Sequence, residues 1–186
     1  AILQKLSPKT KAFMLTTPNN PNGCIYGAAL LETIARLAVE RGFYIISDEI
    51  YQSLVYGVKH VCIATLNDQI KAQTLLINGV SKSYAMTGFR IGYVCGPRNV
   101  IKAMTTYQSQ ATSGPNSAAQ HAAAVALVSD QGCVEEMRRA FQARRDRMVE
   151  LINRIDGVSC LKPQGAFYVM MNVKDVIGKR HGDAVL

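Results

Sequence analysis

The stretch Phe43-Tyr-Ile-Ile-Ser47, followed directly by Asp48-Glu49, decides the fold of this chain. An apolar run of this length that ends abruptly in charged residues is typical of a buried strand in a parallel sheet. The preceding segment is expected to be a helix that ends near Gly42, because its apolar residues recur at intervals of three and four. Two further apolar runs, Ala12–Thr16 and Thr74–Asn78, flank this unit. A strand, a helix and a strand in this order predict a parallel sheet with helical crossovers and an α/β fold.

The later part of the chain has a different character. The segment Arg90–Cys95 is predicted to be another strand, and the segment that begins at Gly165 with Gly-Ala-Phe-Tyr-Val-Met-Met is predicted to be a strand of a new unit. The pattern between them predicts helices over residues 98–111, 115–129 and 131–156. We therefore expect three parts, which are a core over residues 1–130, a long connecting helix over residues 131–156, and the beginning of a second, smaller domain over residues 157–186.

Composition and charge exclude several classes of protein. The chain has 186 residues, of which 48% are hydrophobic, and a mean hydropathy of +0.06, which excludes intrinsic disorder. We expect no membrane-spanning segment, since the apolar runs are too short. The net charge is +8, but the basic residues are scattered among acidic ones. This mixture is typical of solvated helix faces, so we expect no nucleic-acid partner.

Cysteine usage and the absence of targeting signals indicate the compartment. The five cysteines are an odd number, are widely spaced and form no C-x-x-C pair. They fit a reducing compartment better than disulfides or a zinc site, so we expect a cytoplasmic protein without a metal centre. Since no basic and then apolar stretch opens the sequence, we expect no secretion signal. The histidines have no metal-ligand partner at a useful spacing, and His60 is expected to face water.

Polar residues follow three of the predicted strands at the point where each strand ends. Asn20 lies after the first, Asp48 and Tyr51 at the end of the second, and Lys82 after the third. Each has an ordinary explanation: Asp48 could cap a helix, Lys82 could be a surface lysine, and Asn20 could serve the turn. Their recurrence at three successive strand ends favours a ligand site, because ligands of such sheets bind at the carboxyl ends of the strands.

Four motifs resemble those of one known family. Ser81-Lys-Ser-Tyr-Ala-Met-Thr-Gly-Phe-Arg-Ile-Gly-Tyr93 resembles the lysine signature of the class I/II pyridoxal-phosphate aminotransferases of fold type I. Pro18–Gly23, Ser47–Tyr51 and Gly165–Tyr168 are similar to that family's N-N-P-T-G, S-D-E-I-Y and G-A-F-Y segments. Their order and spacing agree with the family over essentially the whole chain. The branch that the chain resembles is the bacterial aspartate/aromatic aminotransferases.

The resemblance implies a role for each candidate residue. Lys82 matches the lysine that forms a Schiff base with pyridoxal phosphate and shuttles the substrate proton. Asp48 matches the carboxylate that keeps the cofactor's ring nitrogen protonated. Asn20 and Tyr51 match the two groups that hydrogen-bond the ring's 3′ oxygen, and Arg90 matches the phosphate-binding arginine.

The resemblance also implies the architecture of the whole protein. It implies a three-layer fold type I large domain, followed by the start of a small α+β domain, and a homodimer with active sites at the subunit interface. Family members are much longer, so the chain is expected to be a piece that lacks the glycine-rich phosphate loop upstream and the substrate-binding arginine downstream. Gly79 stands where many relatives have a phosphate-binding serine.

The sequence leaves three functions open. The leading hypothesis is transamination between an L-amino acid, of aspartate or aromatic type, and a 2-oxo acid. The first alternative is a C–S or Cβ lyase of the same fold, which is less favoured because such lyases often have histidine where Tyr51 stands. The second is a catalytically incomplete fragment that only binds cofactor or a partner subunit, and we expect this chain alone to be inactive.

Overall fold

The computed structural model describes residues 2–181 and 184–185 of the chain. It contains five α-helices and eight strands among these residues. The helices are α1 (Ala28–Arg41), α2 (Asp68–Lys71), α3 (Arg98–Ala111), α4 (Ser117–Val128) and α5 (Gly132–Ile152). The strands are β1 (Ala12–Thr16), β2 (Tyr44–Asp48), β3 (Thr74–Gly79), β4 (Gly92–Cys95), β5 (Ser159–Cys160), β6 (Met171–Asn172), β7 (Arg180–His181) and β8 (Ala184–Val185).

A four-stranded sheet in the order β1-β2-β3-β4 forms the centre of the molecule. Strands β1, β2 and β3 are parallel, as the sequence predicts, and the α/β class is confirmed. Strand β4 is antiparallel to β3, so the sheet is mixed. The reason is the connection from Gly79 to Gly92, which contains a 3-10 turn at Thr87–Phe89 and no α-helix. Without a helical crossover the chain reverses direction and pairs with the strand that it has just left.

Helix α1 covers one face of the sheet and forms the main core with it. Its C-terminus is set by Gly42, whose left-handed conformation (φ 68°) lets its N–H donate to the Ala38 carbonyl oxygen. The apolar face that the sequence predicts for this helix is buried. The buried residues of this core are Leu15, Leu31, Ile34, Ala35, Leu37, Ala38, Phe43, Ile45, Ile63 and Ile70.

Two smaller apolar clusters fix the loops that leave the carboxyl ends of the strands. The first packs Val80 and Ile91, on either side of the β3–β4 connection, against Ala119 and Ala123 of α4. The second packs the segment after β2 against Ala166, with Phe141 of α5 at its edge. The main core therefore carries the sheet, while these clusters set the positions of the polar loops.

The predicted strand from Gly165 is wrong. Gly165 forms only an isolated bridge with Val55, and the regular pairing there is between β5 and β6. The physical reason is Ala166, whose left-handed backbone (φ 58°) interrupts the extended conformation. This alanine is buried, and its carbonyl oxygen accepts a hydrogen bond of 2.6 Å from the Tyr56 hydroxyl.

The predicted helices agree with the structure, apart from their ends. Helix α3 begins and ends at the predicted residues, whereas α5 ends at Ile152 rather than at residue 156. A turn that contains Gly157, also with positive φ, follows it.

The domain boundaries at residues 130 and 156 stay predictions. None of the described helices combines the length and the apolar character that crossing a membrane would require.

The close approach of β3 to β4 at Gly79 can be tested by substitution of this glycine. A Cβ atom added to Gly79 would lie 2.8 Å from the Ile91 carbonyl oxygen and 3.1 Å from the Gly92 Cα atom. Because these are backbone atoms, we expect Gly79→Ala to lower the free energy of unfolding by about 1–3 kcal/mol, as measured by urea denaturation. Gly88→Ala is the control, since its Cβ would meet nothing within 4 Å. Equal effects of the two substitutions would contradict the packing described here.

Candidate active site

The candidate site lies at the edge where the carboxyl ends of β1, β2 and β3 meet. The register pairs Asp48 of β2 with Thr16 of β1 on one side and with Ile77 of β3 on the other. The segments that leave these three strands carry Asn20, Tyr51 and Lys82. The sequence-predicted residues of three separate motifs therefore emerge side by side, as expected for a parallel sheet.

Tyr51 forms the buried floor of the site. Its side chain is among the buried residues, and its hydroxyl oxygen lies 2.6 Å from that of Tyr168. The Asn20 amide nitrogen donates to the same Tyr168 hydroxyl at 3.3 Å. Burial raises the pKa of Tyr51 well above its usual value, and the neighbouring Tyr168 hydroxyl and Asp48 carboxylate raise it further. Tyr51 is therefore protonated, and can donate a hydrogen bond, at neutral pH.

Lys82 reaches over the aromatic residues of the site. Its Nζ atom lies 5.8 Å from the centre of the Tyr51 ring and 5.4 Å from that of Phe167. The lysine is partly exposed, while the next residue, Ser83, is buried and fixes the turn. The amine is thus held beside two aromatic faces without a carboxylate partner among the described ion pairs.

Asp48 is the last residue of β2 and is half-buried. Its Oδ1 atom accepts a hydrogen bond of 3.2 Å from the backbone N–H of Ile50. This contact fixes the carboxylate and begins the turn that brings Tyr51 into the site.

Arg90 does not join the other four residues by direct contact. Its guanidinium donates to the Thr87 carbonyl oxygen at 3.0 Å, and its backbone is left-handed (φ 57°). The side chain is exposed and lines a separate cavity of about 600 Å³ at the start of α4, together with Phe89 and Pro115. The structure therefore brings Asn20, Asp48, Tyr51 and Lys82 to one edge, whereas Arg90 lines a separate cavity.

The glycine at position 79 is explained by the same geometry. Gly79 lies opposite Gly92 at the end of β3, where a Cβ atom would be only 2.8 Å from the Ile91 carbonyl oxygen. A serine has no room there. The chain therefore has no side-chain hydroxyl at position 79.

Two aromatic residues of the site were missed by the analysis of the sequence. Phe167 makes an edge-to-face contact with Tyr51 at a centroid distance of 5.3 Å and stacks on Phe141 of α5 at 5.4 Å. Tyr168 bonds to both Asn20 and Tyr51. The G-A-F-Y resemblance contains both residues, but the apolar pattern of the segment predicts a strand and not a turn. Only the left-handed turn at Ala166 directs these side chains towards the strand ends.

A buried acid-histidine pair lies directly behind the site, and the expectation that His60 faces water is wrong. The His60 side chain is 11% exposed, and its Nε2 atom lies 2.6 Å from Oε2 of Glu49. Glu49 is fully buried and also accepts a hydrogen bond of 2.9 Å from the Ser47 hydroxyl. A carboxylate removed from water in this way requires such partners. No spacing in the sequence indicates the pair, because Glu49 and His60 meet only through the loop after β2.

The site joins an amine, a carboxylate, an amide donor and a phenol donor around aromatic faces. This set can hold a planar aromatic molecule that carries an aldehyde, a basic ring nitrogen and a ring hydroxyl. The fold and the site thus define the class: an α/β protein whose ligand site is built at the carboxyl ends of its strands. Comparisons with known proteins give the family.

The family described as "Aminotransferase class I and II" matches residues 1–181. The chain is 48% identical to an aspartate aminotransferase of Geobacillus stearothermophilus, over 92% of this chain and 44% of that protein. It is 46% identical to an asparagine–oxo-acid transaminase of Streptococcus mutans, over 89% of this chain and 42% of that protein. The crystal structure of an aspartate aminotransferase from Rhizobium meliloti superposes with a TM-score of 0.91 at 42% identity, over 95% of this chain and 45% of that one. The chain belongs to the class I and II aminotransferase family, and it spans about half the length of the relatives that it matches.

The buried pair of Glu49 and His60 is expected to stabilise the folded protein. Glu49→Gln leaves His60 without its carboxylate, so we expect the free energy of unfolding to fall by about 3 kcal/mol. The exposed pair Arg36–Glu40, joined at 3.0 Å, is the control, and Arg36→Ala is expected to cost at most about 0.5 kcal/mol. Urea denaturation at pH 7 measures both. A loss for Glu49→Gln as small as that for Arg36→Ala would show that the buried pair adds nothing to stability.

Proposed function

We propose that the protein that contains this chain is a pyridoxal-phosphate-dependent aminotransferase. It would transfer an amino group between an L-amino acid and a 2-oxo acid, with an aspartate-type or aromatic donor. The observation that carries this proposal is the position of the Lys82 amine, which lies over the Tyr51 ring at the edge where β1, β2 and β3 end. Similarity to aspartate aminotransferases over most of the chain supports it.

The described residues fit the chemistry of this cofactor. When bound, pyridoxal phosphate supplies an aldehyde that an amine can hold covalently and a ring that withdraws electrons from the substrate's Cα atom. Lys82 would hold the aldehyde. Asp48 would pair with the protonated ring nitrogen. Tyr51 and Asn20 would donate to the ring's 3′ oxygen, a role for which Tyr51 must be protonated, in agreement with the direction of its pKa shift.

Arg90 would bind the phosphate group. Its guanidinium makes one hydrogen bond among the described residues, to a carbonyl oxygen, which leaves its other N–H donors available to an anion. Its exposed side chain is consistent with this role. Because Gly79 carries no side chain, the phosphate would depend on Arg90 more strongly than in relatives that have a serine there.

The amine of Lys82 would also carry out proton transfer. It lies beside the Phe167 and Tyr51 rings, which shield it partly from water. It would take a proton from the Cα atom of the substrate and return it to the cofactor's C4′ atom. The tyrosine at position 51 favours transamination over the lyase alternative, because such lyases often have histidine there.

The remaining assignments concern the whole protein. We expect catalysis from the full-length protein rather than from this chain alone, since the relatives are about twice as long. A homodimer and a cytoplasmic location complete the proposal. The location is supported by the five cysteines, all of which are free thiols in the structure.

Reduction with borohydride tests the proposal directly. The full-length protein is incubated with pyridoxal phosphate and reduced, and the modified peptides are mapped by mass spectrometry. We expect the label on the peptide that contains Lys82 and its loss in Lys82→Ala, while Lys71→Ala, a lysine at the end of α2, keeps it. Label spread over many lysines would contradict the assignment of the site.

An activity assay separates the transaminase from the lyase. The same protein is supplied with aspartate and 2-oxoglutarate, and separately with a cysteine-type substrate whose cleavage releases a thiol. We expect amino-group transfer in the first assay and no thiol in the second. Release of thiol without transfer would identify the lyase instead.

A further inference from the structure

The Gly165–Tyr168 segment reaches the site from a distant part of the chain and is anchored there by buried contacts. The Arg145 guanidinium of α5 is buried, donates to the Pro163 carbonyl oxygen at 2.6 Å and lies 4.7 Å from the centre of the Tyr56 ring. The Tyr56 hydroxyl then donates to the Ala166 carbonyl oxygen. These contacts leave the backbone before Tyr168 little freedom.

The same segment is attached to the turn that carries Asn20. The backbone N–H groups of Gln164 and Gly165 both donate to the Gly23 carbonyl oxygen, at 3.1 and 2.9 Å. A Cβ atom on Gly23 would lie 2.4 Å from the Pro163 side chain, so only glycine permits this contact. The position of Tyr168 relative to Asn20 is therefore fixed through the backbone as well as through their side chains.

The Tyr168 hydroxyl joins two groups that the proposed function assigns to one cofactor atom. It lies 2.6 Å from the Tyr51 hydroxyl and 3.3 Å from the Asn20 amide nitrogen. Without Tyr168 these two side chains share no partner among the described hydrogen bonds, and Asn20 is on an exposed turn. A single hydroxyl thus links the buried and the exposed donor.

The number of donors allows the ring oxygen of a cofactor to bind without displacing Tyr168. Asn20 has two amide hydrogens, of which Tyr168 uses one. The Tyr168 oxygen accepts that hydrogen, and its own hydrogen can be donated to the Tyr51 oxygen. Tyr51 then keeps its hydrogen for another acceptor, and Asn20 keeps its second. Both remaining hydrogens are available to one oxygen atom in the site.

We propose that Tyr168 is a positioning residue that holds Asn20 and Tyr51 together and orients both donors towards the 3′ oxygen of the cofactor. This inference rests on the proposed function and extends it to a residue of the G-A-F-Y segment. Tyr168 acts through the other two side chains and does not itself bind the cofactor. Its effect must therefore depend on the ring oxygen and disappear when that oxygen is absent.

The test compares two ligands of the full-length apoprotein. The probes are pyridoxal phosphate and an analogue in which hydrogen replaces the ring hydroxyl, and their dissociation constants are measured by absorbance titration. We expect Tyr168→Phe to weaken binding of pyridoxal phosphate about 3- to 10-fold, as for loss of an oriented hydrogen bond, and to leave binding of the analogue unchanged within about twofold. In a Tyr51→Phe background the effect of Tyr168→Phe should shrink, because one of the two oriented donors is already gone.

Tyr84→Phe is the control. It also removes one hydroxyl, but one that donates to the Gln131 side chain at 2.7 Å, away from the Gly165–Tyr168 segment and the donor network. We expect it to affect both ligands equally or neither, so any selective loss belongs to Tyr168. Thermal unfolding of each apoprotein confirms that the variants are folded.

The other outcomes are distinguishable. Equal weakening of both ligands by Tyr168→Phe would show a general structural role, and no weakening of either would show no role, and each result overturns the inference. Tighter binding of pyridoxal phosphate would show that the hydroxyl competes with the ring oxygen, and would also overturn it. If pyridoxal phosphate fails to bind the unmodified protein at Lys82, the proposed function itself fails.

Discussion

The parallel register of β1, β2 and β3 is the constraint on which the site depends. Asp48 pairs with Thr16 on one side and Ile77 on the other, so the segments that follow these strands must begin at the same edge. Residues far apart in sequence then need only short turns to reach one another. The apolar contacts of α1 with the sheet hold this register, because a slip of one residue would reverse which side chains face the core.

The loops that follow β2 and β3 are held in place by specific contacts. The polar residues that they carry at the shared strand edge therefore have defined positions. The turn after β2 is fixed by the Asp48–Ile50 contact and is supported from behind by the buried pair of Glu49 and His60. The turn after β3 is fixed by the packing of Val80 and Ile91 on α4. Polar groups on anchored loops are held in place before a ligand arrives, and this preorganisation is what a catalytic site requires.

The second support of the site comes from α5. Its buried Arg145 holds the chain at Pro163, and Phe141 stacks on Phe167. Through these contacts, Phe167 and Tyr168 of the segment after α5 are held at the edge where the strands end. The long helix is therefore part of the site's framework, although it contributes no polar group to the site itself.

Much of this arrangement could be predicted from the sequence, and what could not has physical causes. The apolar runs gave the parallel strands and the helices, and the polar residues at the strand ends gave Asn20, Asp48, Tyr51 and Lys82 as candidates. The antiparallel direction of β4 depends on the absence of a helix in its connection. The turn at Ala166 depends on a backbone conformation that alanine rarely adopts, so neither feature has a local signal. The contact of Glu49 with His60 depends on tertiary packing in the same way.

Lys82, Asp48, Tyr51 and Asn20 are proposed to form one cofactor site at the shared strand edge. A crystal structure of the full-length protein with pyridoxal phosphate tests it most directly. We expect continuous electron density from Lys82 Nζ to the cofactor, with the Asp48 carboxylate within hydrogen-bond distance of the ring nitrogen. Tyr51 and Asn20 should both lie within that distance of the ring oxygen. Cofactor bound at another lysine, or bound at Lys82 with its ring nitrogen away from Asp48, would contradict the account.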